Sequence, residues 1–193
     1  MMPVNPPEIF GNASQLATYT HAVLSQMAGV VHLYADGDRA AYAEHVGPHV
    51  RHIIEHYETL ANALGSSEAG GDVAPVVDYD ARERNMQMET DPDVALVRIT
   101  DLQTALGDKG NPQNPWLDRP LDVRTRGGLQ GEHNFSTRSS VARELMFLNS
   151  HATHHFAILQ GYARQRGETL GAGVGKAPAT VAHEQRQREH ANA

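Results

Sequence analysis

Leu148-Asn-Ser-His-Ala-Thr-His-His-Phe-Ala-Ile-Leu-Gln-Gly-Tyr162 is the stretch on which the fold turns. Leu148, His151, His155, Ile158 and Tyr162 step by three and four, the spacing of one face of an α-helix. His151 and His155 therefore stand on an inward-looking stripe in place of apolar residues. A buried polar group without a partner costs about 1–3 kcal/mol. Two imidazoles at i and i+4 can share one metal ion as that partner. A pair of core histidines hydrogen-bonded to other side chains is the simpler alternative, because this spacing also arises by chance.

Working outward, the helical period recurs through most of the chain. Residues 12 to 34 read as a first helix, with Leu16, Tyr19, Val23, Met27, Val30 and Val31 on one side. Residues 39 to 46 follow as a turn or short helix. Gly47-Pro48 is expected to start a second helix, with Pro at its first position and Val50, Ile53, Tyr57, Leu60 and Leu64 as its buried stripe. Asp80 to Met88 is charged and has no clear period. Thr90-Asp91-Pro92 opens a third helix to about Leu106, with a stripe of Val94, Val97, Leu102 and Leu106. The alternation at Leu121–Thr125, followed by Gly127-Gly128, predicts a short β-hairpin within 118–136. Ser and Thr at 136 to 140 cap a fourth helix, which ends at Gly167. The expectation is an all-α chain: a four-helix bundle with long crossover connections over residues 10–168, and a flexible C-terminal tail over 169–193.

Composition narrows the chemistry. The chain has 193 residues, no Cys and a formal charge of -7. No disulfide framework, thiolate metal site or cysteine nucleophile is available. The acidic balance argues against nucleic-acid binding, and no apolar run suggests a membrane span or signal peptide, so a cytoplasmic protein is expected. Twelve histidines would carry the charge from -7 to +5 if all were protonated. Pro48-His-Val-Arg-His-Ile-Ile-Glu-His56 supplies three candidates for a third metal ligand: His49, His52 and His56. They flank the apolar stripe, and geometry alone does not choose among them. Three histidines in a bundle core would leave metal positions open, which is the pattern of a catalytic rather than a closed structural site. The Glu-x-x-His repeats of di-iron bundles and the glutamate of zinc-protease helices are absent. Gly171-Ala-Gly-Val-Gly175 has no preceding strand and reads as linker, not as a nucleotide loop.

The two histidine blocks, Gly47-Pro-His-Val-Arg-His-Ile-Ile-Glu-His-Tyr57 and Asn149-Ser-His-Ala-Thr-His-His-Phe-Ala157, resemble the DinB/YfiT-like superfamily of metal-binding four-helix bundles. Asp78-Tyr-Asp-Ala-Arg82 is similar to a stretch in one branch of that family. The resemblance spans residues 12 to 166, although the family often has Trp or Ser where this chain has Gly47-Pro48. It implies a divalent-metal site of His52, His151 and His155. His52 is singled out by Glu55 three positions later, and His154 is left aside. It further implies a metal-dependent enzyme on a small-molecule substrate, of thiol-dependent transferase or hydrolase type, with a low-molecular-weight thiol as cosubstrate. Zinc, nickel, iron and manganese are all admissible. Glu55 or His56 would act as a nearby base or outer partner, and Glu144 would face the same cavity or pair with an arginine. A non-catalytic metal-binding or stress-response module, as a homodimer or monomer, is the alternative. A helical bundle with a metal-free histidine network is the third reading.

Overall fold

The computed structural model describes residues 12–66, 74–107 and 115–191. Helix α1 (Ala13–Ala35) begins at a capping box: the Asn12 side chain accepts from the Gln15 N–H, and Gln15 accepts from the Asn12 N–H. Val23, Leu24, Met27, Val30 and Val31 are its buried face. A short helix α2 (Arg39–Ala41) runs into a π-helical turn (Tyr42–Val46) and then into helix α3 (Gly47–Ser66) without a break.

The second helix was expected to begin at Gly47-Pro48, whereas helical structure is already continuous from Arg39. Pro48 offers no N–H to the carbonyl four residues back, and the chain takes the wider π register just before it. The Gly47 N–H closes that turn on the Tyr42 carbonyl. Gly47 has a second reason to be glycine. A Cβ there would meet the Glu89 carbonyl oxygen at 1.9 Å, so the backbone of helix α4 (Met86–Thr90) rests directly on it.

Helix α5 (Pro92–Gly107) buries Ala95, Ile99, Leu102 and Leu106. Val97, expected in that stripe, is 60% exposed, because Ala95 and Ile99 take the inward positions instead. Helix α6 (Val141–Gln165) starts at Ser140, whose side chain accepts from the Arg143 N–H. It ends where Gly167, at φ +75°, lets the Glu168 N–H reach back to the Ala163 carbonyl. Helix α1 packs on α5 and α6, and α3 packs on the same two.

The expected hairpin is present and longer. Strands β2 (Pro120–Gly127) and β3 (His133–Ser140) pair antiparallel from Pro120 opposite Ser140 to Gly127 opposite His133. Gly128 and Gly131, both at positive φ, make the turn. Strand β1 (Val76–Asp78), which has no signature in sequence, adds parallel to β2. Val77, Leu121 and Val123 turn inward from this sheet. The chain is thus predominantly helical, as expected, with a small three-stranded sheet in the connections. Helix α7 (Pro178–Ala191) occupies most of the segment read as a flexible tail, and none of its residues is buried. Among the described residues no helix is long and apolar enough to cross a membrane.

Candidate metal centre

Helices α3 and α6 face each other with their histidines between them. His52, His151 and His155 each offer a ring nitrogen, and these atoms all lie within 4.8 Å of one another. The Nε2 atoms of His52 and His151 are 2.9 Å apart. His155 Nδ1 lies 2.7 Å from His49 Nδ1, so that nitrogen is occupied and Nε2 is the one left to a ligand. The three residues implied for the site are therefore brought together. His154 is exposed and stands outside the group.

The helix-four stripe needs a correction. The buried line of α6 runs through Leu145, Leu148, Ala152, Phe156, Leu159 and Ala163, while Ile158 is 44% exposed. Steps of three and four trace adjacent lines on a helix equally well. His151 and His155 sit on the margin of the core, half-buried.

Burial sets the electrostatics of the cluster. Desolvation pulls the His52 ring down to about 3, helped by the charges of His56 and Arg82. His155 is likewise driven down to about 3 by desolvation and then by His151, His52 and His49. Desolvation also lowers His151 and His49, with His154 adding to it. All of these rings are neutral at pH 7, which is the protonation state that a metal ion requires.

His56 is not free in the same way. Its Nδ1–H donates to the His52 carbonyl at 2.6 Å, and its Nε2 accepts from Arg82 Nη1 at 2.6 Å. Desolvation takes it down to about 4, opposed by the bond to His52. Tyr79 and Arg82 lie in the Asp78–Arg82 stretch quoted from sequence, but their place beside the histidines was not foreseen. Both come from the turn after β1, which carries no periodicity. The Asp78 carboxylate pins that turn by accepting from the N–H groups of Asp80 and Ala81. The Glu55 carboxylate pins its far end, accepting from the Asn85 N–H at 2.7 Å. The Tyr79 ring stacks on His56, with centroids 5.4 Å apart, and Phe147 stacks on His151 at 5.7 Å.

The two glutamates singled out from sequence are both buried and engaged. Glu55, 4% exposed, holds Asn85 and also faces Arg51 at 3.4 Å. Glu144, 0% exposed, accepts from the Tyr79 hydroxyl, Ser139 and Arg143. Neither carboxylate is placed as a free base. Their work is to fix the turn, and Tyr79 within it, against the histidines. A cleft of about 700 Å³ lined by Asp78, Asp80, Arg84, Arg124, Arg126 and Phe135 lies on the sheet, and the histidines do not line it.

No family model and no solved structure matches the chain. It is similar to FK506-binding protein 5 of Rhizopus delemar, with 30% identity over 115 residues, which is 60% of this chain and 29% of that protein's length. The chain thus spans under a third of the relative it matches. These findings overturn the resemblance to the DinB/YfiT-like superfamily, since the similarity found points elsewhere and no family model supports that membership. The short histidine blocks that carried the resemblance fix a ligand spacing, and spacing of that kind is not particular to one family.

Proposed function

We propose that the chain binds a divalent metal ion through His52, His151 and His155 and uses it as an enzyme on a small molecule. One observation carries this reading: three half-buried imidazoles from two helices present ring nitrogens within 4.8 Å of one another. Depressed pKa values keep those imidazoles unprotonated, so protonation does not oppose an ion. Zinc, nickel, iron and manganese all accept such a donor set, with imidazole favouring the first three. A divalent ion held there would supply Lewis acidity to a substrate oxygen.

The protein's own residues supply the rest. Three protein ligands leave coordination positions for a substrate, as in catalytic rather than structural sites. His49, bonded to His155 Nδ1, fixes which nitrogen of that ring faces the centre. Phe147 and Tyr79 wall the cluster with aromatic faces. We read the four long helices α1, α3, α5 and α6 as a bundle that holds α3 and α6 at the spacing the site needs. The acidic, cysteine-free composition fits a cytoplasmic enzyme without nucleic-acid or membrane partners. FK506 binding, named for the similar fungal protein, is not carried over, because this chain spans 29% of that protein.

A second reading is favoured by the two short nitrogen–nitrogen contacts, His52 to His151 and His49 to His155. In it the histidines satisfy one another by hydrogen bonds and no ion is needed. Metal analysis of protein purified without a histidine tag separates the two. After incubation with each divalent ion at neutral pH, about one equivalent is expected in the wild type and none in His151→Ala. Less than about a tenth of an equivalent in the wild type would sink the metal site. Assays against hydrolysable esters, phosphates and amides, and against thiol-transfer substrates, then ask which chemistry depends on the metal.

A further inference from the structure

Arg82 is placed where a metal centre alone would not want it. Its Nη1 lies 2.6 Å from His56 Nε2, and the His56 ring is 4.3 Å from His52 and 5.0 Å from His151 between centroids. A permanent cation thus stands one ring away from two ligands of a proposed divalent cation. Three neutral imidazoles bring no negative charge to offset either. The ion-pair partner of Arg82, Glu55, is no closer than 4.0 Å from Arg82 Nε and is already shared between Arg51 and the Asn85 N–H. Arg51 in turn is held by Glu89 at 2.7 Å. Arg82 is 14% exposed, and its Nε is buried with no hydrogen-bond acceptor. Buried donors are almost always satisfied, and a guanidinium is shaped to take two oxygens of one anion.

We propose that Arg82, together with the ion on His52, His151 and His155, forms a subsite for the oxyanion end of a small substrate, a carboxylate or phosphate. The inference rests on the metal reading and adds the substrate's charge class to it. An oxyanion supplies the missing negative charge and an acceptor for Arg82. The turn from Asp78 to Asn85, pinned at both ends, holds the guanidinium in place before the ligand arrives.

The test uses the full chain loaded with zinc or cobalt, titrated with inorganic phosphate, with acetate and with imidazole as a neutral metal ligand. Phosphate against acetate distinguishes the two oxyanion sources. In Arg82→Gln the preferred oxyanion is expected to bind about tenfold more weakly or worse, while imidazole affinity and metal stoichiometry are kept. Arg82→Lys should recover part of the loss, since it restores the charge but not the fork. Oxyanion affinity equal in wild type and Arg82→Gln would overturn the proposal. So would a parallel loss of imidazole binding, which marks a damaged metal centre. If Arg82→Gln fails to fold, Arg82→Lys decides, because wild-type oxyanion affinity in that variant contradicts a bidentate role. If the wild type takes up no metal, the metal reading fails on its own. Phosphate or acetate must then raise the melting temperature of the metal-free wild type, and not of Arg82→Gln, for the subsite to stand.

Discussion

Two polar clusters lie between α3 and α6, and they are built on opposite principles. In the first, the Tyr57 hydroxyl donates to Asn149 Oδ1 at 2.7 Å, and Asn149 Nδ2 donates to Thr20 Oγ1 at 3.1 Å. Tyr57, Asn149 and Thr20 are all at most 1% exposed, and the chain of bonds ties α1, α3 and α6 together. Burial raises the Tyr57 pKa well above its ordinary value, so the hydroxyl remains a donor. The second cluster, His49, His52, His151 and His155, is half-buried and joined by nitrogen–nitrogen contacts, with an arginine one ring away. The first is complete without a ligand and sets helix register. The second has spare lone pairs and, beside it, a buried guanidinium Nε with no hydrogen-bond acceptor, which is how a binding site differs from a structural network.

The sharpest way to break this contrast is a pair of alanine variants. His151→Ala should weaken metal binding about a hundredfold or more while changing the stability of the metal-free protein by less than about 1 kcal/mol. Asn149→Ala should do the reverse. It strands the buried Tyr57 and Thr20 hydroxyls, costs about 2–3 kcal/mol, and leaves metal stoichiometry at one. Denaturant melts and metal titrations of both variants check this, and equal stability losses would erase the distinction. Tyr57→Phe removes one bond of the same network and should cost less, about 1 kcal/mol in the same melts.

The pH dependence of the metal-free protein sharpens the comparison further. His52 and His155 titrate near 3 in the fold against an ordinary value of 6.5. Between those values the unfolded chain binds more protons than the folded one, so stability rises with pH across that window. It is lost as pH falls below about 6.5, and above that these rings contribute nothing. Melting temperatures measured from pH 7.5 down to 4 should fall in wild type and in Tyr57→Phe alike. The fall should be shallower in a His52→Ala, His155→Ala double variant. The smallest effect belongs to His154→Ala. His154 is exposed and outside the cluster, so metal affinity within about twofold of wild type is expected by titration.

The contrast also marks how much was legible in sequence. The four long helices were readable because their faces repeat at 3.6 residues, and Gly127-Gly128 revealed the hairpin. The three histidines were found from two short blocks, although the family those blocks suggested did not stand. What sequence hid was set by tertiary pairing. Strand β1 is three residues long and exists because β2 lies beside it. Arg82 and Tyr79 reach the histidines only because Asp78, Glu55 and Glu144 hold the intervening turn. Glu55 was expected as a nearby base or outer partner of the metal site, yet the Asn85 N–H and two arginines engage it. The π turn before Pro48 was hidden for a different reason, since proline at a helix start and proline after a widened turn look the same in sequence.

The most direct test of the central claim is an imidazole nitrogen NMR spectrum recorded during a zinc titration of uniformly nitrogen-15-labelled protein. The account predicts that one ring nitrogen each of His52, His151 and His155 moves to a metal-bound shift, in step and saturating at one equivalent, while His154 stays put. Rings that keep their metal-free shifts beyond one equivalent, or a set of responding histidines that omits any of the three, would contradict it.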